Sequence, residues 1–142
     1  MKNLKLIALV CSLLSVMATS AQKNEIQAIE IVISEFALAG DENNAEKLAT
    51  CLDDNYRVVM NRLFGSKEVS IMSKSIYLEK IKSKEYGGDK RVLTIDNVLV
   101  NGTTASAKVI FKGKKMTFVS IITLIQDSKG NWKLISDVPI VG

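Results

Sequence analysis

Residues 91–111 read RVLTIDNVLVNGTTASAKVIF, two strand-like runs on either side of an Asn-Gly pair at 101–102. Asn-Gly readily adopts the positive φ angles of a two-residue turn, so this stretch predicts a β-hairpin. In the second run Ala105 and Val109 share one face, and Lys108 takes the other. The hairpin is therefore expected to bury one face and to leave the other in water.

Two more strand-like segments follow, KMTFVSIITLIQ at 115–126 and WKLISDV at 132–138, with glycine-containing turns before each of them. Short connections of this kind join antiparallel neighbours, so four antiparallel strands are predicted in succession. The segment 115–126 is apolar on both faces. This pattern indicates a central strand that helices cover on one side and a partner subunit covers on the other. Trp132, at the start of the last strand, is expected in the core.

Upstream of the sheet, apolar residues from Ile26 to Phe36 recur at intervals of three and four. This spacing predicts an amphipathic helix over residues 25–39. Gly40 and the polar residues 41–44 then supply a helix end and a new cap, so a second, shorter helix is expected at about 45–52.

A short hairpin is predicted next, because β-branched and aromatic residues form a strand over 56–63 and a return strand over 68–72. Ser73 or Ser75 can cap a third helix, which the glycine pair at 87–88 ends. The charged, glycine-containing segment KSKEYGGDKR at 82–91 reads as a solvated loop able to act as a lid.

Two stretches carry a family resemblance, AGDENNAEKLATCLDDNYRVV at 39–59 and ITLIQDSKGNWKLISDV at 122–138. The first is similar to a passage from helix through Gly-Asp and a second helix into a strand. The second is similar to a closing hairpin with Gly130 and Trp132 before the last strand. On these residues, and on the order of its elements, the chain resembles the nuclear transport factor 2-like superfamily over residues 25–138. Within it, the chain looks like the small secreted bacterial members grouped as polyketide-cyclase-like and lumazine-binding.

This resemblance implies an α+β fold in which a cone-shaped, curved antiparallel sheet wraps around the N-terminal helices. It also implies a small-molecule pocket at the open end of the cone and dimerisation through the sheet, so a homodimer is expected. The same cavity hosts isomerases, dehydratases and non-catalytic binders in the superfamily. Fold alone therefore does not decide the activity.

Residues 1–21 have the layout of a secretory signal peptide, with two lysines, an apolar run and small residues at Thr19 and Ala21. The apolar run of about 13 residues is shorter than the roughly 20 needed to cross a bilayer, so no stable membrane insertion is expected. We expect cleavage after Ala21 and a periplasmic or secreted protein with one mature domain over residues 22–142.

Charge and residue types exclude several function classes. Removal of the signal lowers the formal net charge from +4 to +2, which is too mild to predict nucleic-acid binding. The sequence contains no histidine, which excludes Ser-His-Asp and Cys-His catalysis and most zinc sites. Cys51 is the one cysteine of the mature chain, and its helical spacing predicts a buried thiol. No metal site and no cofactor are predicted.

The predicted ligand-binding residues come from the 56–63 strand and from the strand that contains Phe118. They are Tyr56, Met60, Arg62, Phe118 and Ser120. If even-numbered positions of the first strand face the cavity, the Arg62 guanidinium can hold a carboxylate or phosphate near the mouth. If the odd-numbered positions face the cavity instead, the residues of this strand that line it are Arg57, Val59, Asn61 and Leu63. Arg62 can also reach water or pair with Glu68 across the hairpin.

Three functions remain open from the sequence. The absence of histidine and of an assignable base favours an exported, non-catalytic protein that binds a small apolar or anionic molecule, with no catalytic residue assigned. The alternative is a lyase or isomerase of the ketosteroid-isomerase-like type, in which a buried aspartate with a raised pKa acts as base. That alternative requires Asp96 or Asp137 to face the cavity. A third possibility is a dimeric module that docks onto another exported protein.

Overall fold

The computed structural model describes the backbone of residues 2–142 and the side chains of residues 21–142. The predicted signal peptide at 1–21 lies outside these described side chains, apart from its last residue. Within the described part of the chain, no helix is long and apolar enough to cross a membrane. The elements, in chain order, are α1 (Lys2–Asp41), α2 (Ala45–Cys51), β1 (Leu52–Asn61), a single 3-10 turn (Leu63–Gly65), β2 (Val69–Ser73), α3 (Lys74–Lys82), β3 (Val92–Asn101), β4 (Thr104–Lys112), β5 (Thr117–Gln126) and β6 (Trp132–Val141).

The six strands form one curved sheet in the order β2-β1-β6-β5-β4-β3. Neighbouring strands are antiparallel, except that β1 and β6 run parallel. The predicted succession of four antiparallel strands is confirmed by β3 to β6. The short hairpin predicted between the helices is β1 and β2, and the β1–β6 pairing makes it part of the same sheet.

The first strand of that hairpin starts earlier than the sequence predicts. The prediction placed its start at Tyr56, whereas β1 begins at Leu52 directly after α2. Leu52 already pairs with Leu134 of β6, so the parallel neighbour extends the strand toward the helix. Only the tertiary partner supplies this pairing.

The start of α3 and the turn after β3 both follow from local sequence. Ser73 caps α3, with its side-chain oxygen accepting a hydrogen bond from the Ile76 N–H at 3.5 Å. The β3–β4 turn consists of residues 102–103, because Asn101 still pairs with Thr104. The two-residue hairpin was therefore predicted correctly, and its turn lies one residue later than the Asn-Gly pair.

The core lies between the inward face of the sheet and the three helices. The helix predicted over 25–39 is part of α1, and its Ile29 and Ile33 are fully buried. Trp132 is buried as predicted, and its indole N–H donates to the Glu25 carboxylate at 2.7 Å. Burial of one large aliphatic side chain stabilises a fold by about 1.5–3 kcal/mol. The large aliphatic residues that are fully buried in the other elements are Leu48, Ile81, Val109, Ile122, Leu124 and Leu134.

A bulge in β6 decides which of its residues face this core. Residues 123–124 of β5 pair with Ser136 and Leu134, so Ile135 is the extra residue. One extra residue reverses the alternation of faces that follows it. Leu134 is buried before the bulge and Asp137 is buried after it. The bulge thus turns a carboxylate toward the inside of the sheet.

Candidate functional site

A pocket of about 430 Å³ lies at one end of the core, between the inward face of the sheet and the helices. Most of the residues that line it are apolar, and a few polar and charged groups lie among them. The apolar residues include Phe36, Val58, Met60, Leu63, Phe64, Met72, Ile81, Phe111, Met116, Phe118 and Pro139, and the polar and charged ones include Tyr77, Glu85, Asp89, Arg91, Lys115, Ser120 and Asp137. A volume of this size suits a small organic molecule.

An aromatic cluster centred on Phe36 forms one wall. The Phe36 ring lies 6.3 Å from the Tyr77 ring, 6.4 Å from the Tyr56 ring and 6.2 Å from the Phe111 ring, measured between centroids. The Tyr56 and Tyr77 rings are 5.7 Å apart. Aromatic contacts at these separations are favourable and hold the rings in fixed orientations. The wall therefore offers a rigid aromatic surface to a ligand.

Asp137 is the buried carboxylate of this pocket. Its position on β6 places it beside Val58 of β1 and Ile122 of β5, both buried apolar residues. Burial raises the pKa of Asp137 to about 6, and the Ser120 hydroxyl and the Arg91 charge act in the opposite direction. The Asp137 Oδ1 atom is buried and has no hydrogen-bond partner among the residues described. A buried carboxylate oxygen in this state is a strong acceptor for a group from outside the chain.

Two tyrosines lie next to this carboxylate. Burial raises the pKa of both Tyr56 and Tyr77, and the negative charge of Asp137 raises both further. Their phenols therefore stay protonated and can donate a hydrogen bond at neutral pH. The Tyr56 hydroxyl, like Asp137 Oδ1, lacks a partner within the described part of the chain.

Arg91 is one of the cations that line the pocket, and other groups of the chain already bind it. Its Nε donates to the Asp41 carboxylate at 2.5 Å, and a terminal nitrogen donates to the Ala37 carbonyl oxygen at 3.2 Å. Its guanidinium also lies 4.7 Å from the Phe111 ring centroid. The pair with Asp41 offsets most of the positive charge that Arg91 brings to the pocket.

The α3–β3 loop, residues 83–91, forms a fixed part of the pocket mouth. The Asn43 side-chain amide donates to the Tyr86 carbonyl oxygen at 2.6 Å, and the Lys114 N–H donates to the Asp89 carboxylate at 3.0 Å. These hydrogen bonds tie the loop to the connection between α1 and α2 and to the β4–β5 turn. Most of the loop is exposed, as the sequence predicted, and its ability to act as a lid stays a prediction.

The predicted ligand-binding residues are only partly brought together. Met60, Phe118 and Ser120 line the pocket, and Ser120 is almost fully buried. Tyr56 is buried behind the lining, against the rings of the aromatic wall. Arg62 lies outside the lining and is exposed, because the chain leaves β1 at Asn61 and Arg62 takes a left-handed conformation with φ 55°. The guanidinium predicted at the mouth is therefore not part of this pocket.

The two aspartates considered as catalytic bases differ in exposure, since Asp96 is exposed and Asp137 is buried. Asp96 points to solvent, with its carboxylate more than half exposed and 3.7 Å from the Lys108 ammonium. By the criterion set from the sequence, Asp96 is therefore excluded. Asp137 lines the pocket and meets that criterion.

Sequence reasoning missed Arg91 and the ring of Phe111 as parts of the site. The sequence places Arg91 at the end of a glycine-containing loop, where a solvated charge is the ordinary expectation. Its partner Asp41 lies fifty residues earlier in the chain. A signal that was available is the inward phase of β4, since Phe111 shares a face with Ala105 and Val109.

A second cavity, of about 410 Å³, lies between α1 and the β5–β6 turn, and Cys51, Trp132 and Lys133 are among its lining residues. The Cys51 side chain is buried as predicted, and burial raises the pKa of its thiol. A thiol with a raised pKa is a weak nucleophile at neutral pH.

Residues 21–142 contain no group of three or more Cys, Asp or Glu side chains placed to hold a metal ion.

The model of one protein family matches residues 24–138, and its description is "putative lumazine-binding". The chain belongs to this family. The match spans the three helices from residue 24 onward and nearly the whole sheet. No curated protein sequence matches the chain.

Solved structures with the same fold share little sequence identity with this chain. A nuclear transport factor 2-like protein of unknown function from Silicibacter pomeroyi is 17% identical, with a TM-score of 0.74 over 85% of this chain and 98% of its own. One from Shewanella baltica is 15% identical, with a TM-score of 0.73 over 84% and 94%. A ketosteroid isomerase-like protein from Erwinia carotovora atroseptica is 13% identical, with a TM-score of 0.64 over 82% and 95%. The predicted nuclear transport factor 2-like α+β fold is confirmed.

Proposed function

We propose that this protein binds a small, mostly apolar molecule in the pocket beneath the aromatic wall, without chemical conversion. The observation that carries the proposal is a preformed, largely apolar cavity of about 430 Å³ with a buried carboxylate in its wall. One oxygen of this carboxylate, Asp137 Oδ1, has no hydrogen-bond partner among residues 21–142. Few polar groups in a largely apolar cavity are typical of small-molecule sites. The description of the family, putative lumazine-binding, adds support for small-molecule binding.

An anionic ligand, which the sequence left open, is disfavoured by the arrangement of charges. Arg62 lies outside the pocket, and Arg91 is already paired with Asp41. A carboxylate or phosphate entering the pocket would also meet the charge of Asp137. Repulsion between like charges and loss of hydration would both oppose its binding.

Binding is tested first by native mass spectrometry of protein purified gently from an exporting host, in which we expect a co-purifying small molecule. The second test is titration with the neutral fluorescent dye N-phenyl-1-naphthylamine. Phe118→Ala is expected to weaken dye binding about tenfold, because it removes part of one wall. Leu99→Ala, an exposed apolar position of β3, is the matched control and should keep wild-type affinity. Equal affinities in the two variants would contradict the proposed pocket.

Export is part of this proposal, and it is supported by the charged start, apolar run and small-residue end of residues 1–21. The mature protein is then expected to begin at Gln22 and to reside in the periplasm or outside the cell. Intact mass and N-terminal sequencing of protein from fractionated cells test this. A cell-associated chain that retains Met1 and the lysines after it would contradict export.

A homodimer through the outer face of the sheet is also proposed. On this face, apolar side chains lie next to one another across neighbouring strands. Three of them, Ile71, Ile121 and Ile140, are each about half exposed or more in the single chain. An apolar band of this kind is typical of a subunit interface. Ile121→Asp should convert the dimer to a monomer in sedimentation velocity, whereas Ile76→Asp on exposed α3 should not. A wild-type monomer at all concentrations would refute the dimer.

Acid–base catalysis is the second candidate, and Asp137 is the observation that favours it. A carboxylate with a pKa near 6 can accept a proton from a carbon next to a carbonyl group, while the Tyr77 phenol donates a hydrogen bond to the carbonyl oxygen. The test is deuterium exchange at that carbon of α-tetralone, followed by NMR. Exchange that depends on Asp137, judged with Asp137→Asn, would favour catalysis, and exchange at the buffer rate would exclude this chemistry for that ketone.

A further inference from the structure

We propose that the ligand is an organic cation, an aromatic or aliphatic body with a protonated nitrogen that pairs with the Asp137 carboxylate. This inference rests on the proposed function and adds the chemical class of the ligand. It follows from the buried acceptor, the ring faces around it and the balance of charges on the pocket wall.

The first step concerns the acceptor. Asp137 Oδ1 is buried without a partner in the described structure, although Ser120 and the tyrosines Tyr56 and Tyr77 lie near the carboxylate. The chain thus brings a carboxylate to the wall of an apolar site and leaves one of its oxygens without a hydrogen-bond partner. A protonated nitrogen supplies both the opposite charge and the hydrogen bond that this oxygen needs.

The second step concerns the wall. The rings of Phe36, Tyr77 and Phe118 line the same pocket, and ring faces attract cations. The chain already uses this interaction within the pocket, where the Arg91 guanidinium lies over the Phe111 ring at 4.7 Å. A carboxylate together with aromatic faces is a suitable environment for an organic ammonium ion.

The third step is the charge balance. Arg91 forms an ion pair with Asp41, and the mouth residue Glu85 forms one with Lys80 at 2.5 Å. Within each pair, the positive and the negative charge offset each other. Lys115 carries a positive charge at the mouth, and Asp89 and Asp137 carry negative ones. The remaining charge of the pocket is therefore negative when Asp137 is ionised. This balance favours a cation over a neutral or anionic ligand of the same shape.

The experiment uses the mature protein, residues 22–142, and three probes with one skeleton, namely tryptamine, the neutral alcohol tryptophol and the anion indole-3-propionate. Calorimetry at pH 7.5 should give roughly 10- to 100-fold tighter binding of tryptamine than of tryptophol, because a hydrogen bond between charged partners contributes more than a neutral one. Indole-3-propionate should bind most weakly.

Two variants assign the preference to the carboxylate. Asp137→Asn keeps the shape of the side chain and should bind tryptamine and tryptophol equally. Asp96→Asn removes an acidic group that is exposed and outside the pocket lining, so it should keep the preference for tryptamine. A preference that persists in Asp137→Asn, or that is lost in Asp96→Asn, would refute the assignment to Asp137.

The outcomes separate this inference from the proposed function. If N-phenyl-1-naphthylamine binds but tryptamine has no advantage over tryptophol, the cation is refuted and the binding pocket stands. If indole-3-propionate binds most tightly, the inferred charge of the ligand is wrong. If neither the dye nor any of the three probes binds, both the cation and the proposed pocket function are refuted.

Discussion

Replacement of Asp137 by asparagine is expected to stabilise the protein at neutral pH and to leave its stability unchanged in acid. Burial raises the pKa of this carboxyl from 3.8 to about 6. The folded state therefore keeps the proton at pH values where the unfolded chain has lost it, so folding binds protons between these two pKa values. The free energy of unfolding must then fall as the pH rises through this window, and the loss is complete above about pH 6.

The size of the effect follows from the shift. Each pKa unit corresponds to about 1.4 kcal/mol, so ionised Asp137 costs the fold about 3 kcal/mol at pH 7.5 and almost nothing at pH 3.5. Asparagine has nearly the same shape and carries no charge, but its amide still needs partners. We therefore expect Asp137→Asn to gain about 2–3 kcal/mol at pH 7.5, roughly 10 °C in melting temperature for a domain of this size.

Urea unfolding of wild type and Asp137→Asn at a series of pH values measures this difference directly, because the other acidic groups titrate in both proteins and cancel. The protein is first unfolded and refolded to strip any bound small molecule, since a bound ligand would stabilise the folded wild type. Asp96→Asn is the control, and its exposed carboxylate should change stability by less than about 0.5 kcal/mol. A gain from Asp137→Asn that is the same at pH 3.5 and 7.5 would refute the reasoning, because it would not arise from the buried charge.

Two further predictions concern contacts that frame the pocket. Arg91→Met should lower the free energy of unfolding by about 2–3 kcal/mol, because it removes the ion pair of the largely buried Asp41 carboxylate; a loss under 1 kcal/mol in urea unfolding would show that water replaces the pair. Gly87→Ala should destabilise the protein by several kcal/mol, since φ is +78° and an added Cβ would clash with the Gly40 carbonyl oxygen. Gly130→Ala is its matched comparison, with φ +82° and open space around the added Cβ, and should cost only about 1–2 kcal/mol in thermal unfolding. Equal losses in the two glycine variants would mean that the clash at Gly87 is relieved elsewhere.

Most of the secondary structure could be predicted because it depends on local patterns. The three- and four-residue spacing from Ile26 to Phe36 predicts a buried helix face, and Ile29 and Ile33 are indeed fully buried. The two-residue turn after β3 follows from its Asn-Gly pair within one residue. These features need only neighbours in the chain, so the sequence was sufficient for them.

The site could be predicted only where the alternation of a strand continues undisturbed. Met60, Phe118 and Ser120 follow the phase of their strands and line the pocket, and their role in ligand binding stays a prediction. Arg62 follows the same phase in sequence, but β1 ends at Asn61 and the left-handed conformation of Arg62 breaks the pattern. The alternation of faces requires extended backbone, so it ends at Arg62 even though the Arg62 N–H still donates to the Glu68 carbonyl oxygen at 3.3 Å.

The sequence by itself determined the helices, the succession of strands and the apolar character of the faces, since these follow from spacing and turn chemistry. Only the tertiary structure decided that Asp137 is a buried carboxylate. One extra residue at Ile135, set by pairing with β5, reverses the alternation and turns Asp137 inward. Likewise, only the packing of α1 against the start of β3 brings Asp41 to Arg91. Register and long-range pairing depend on residues far apart in the chain, and these contacts exist only once the sheet has formed around the helix.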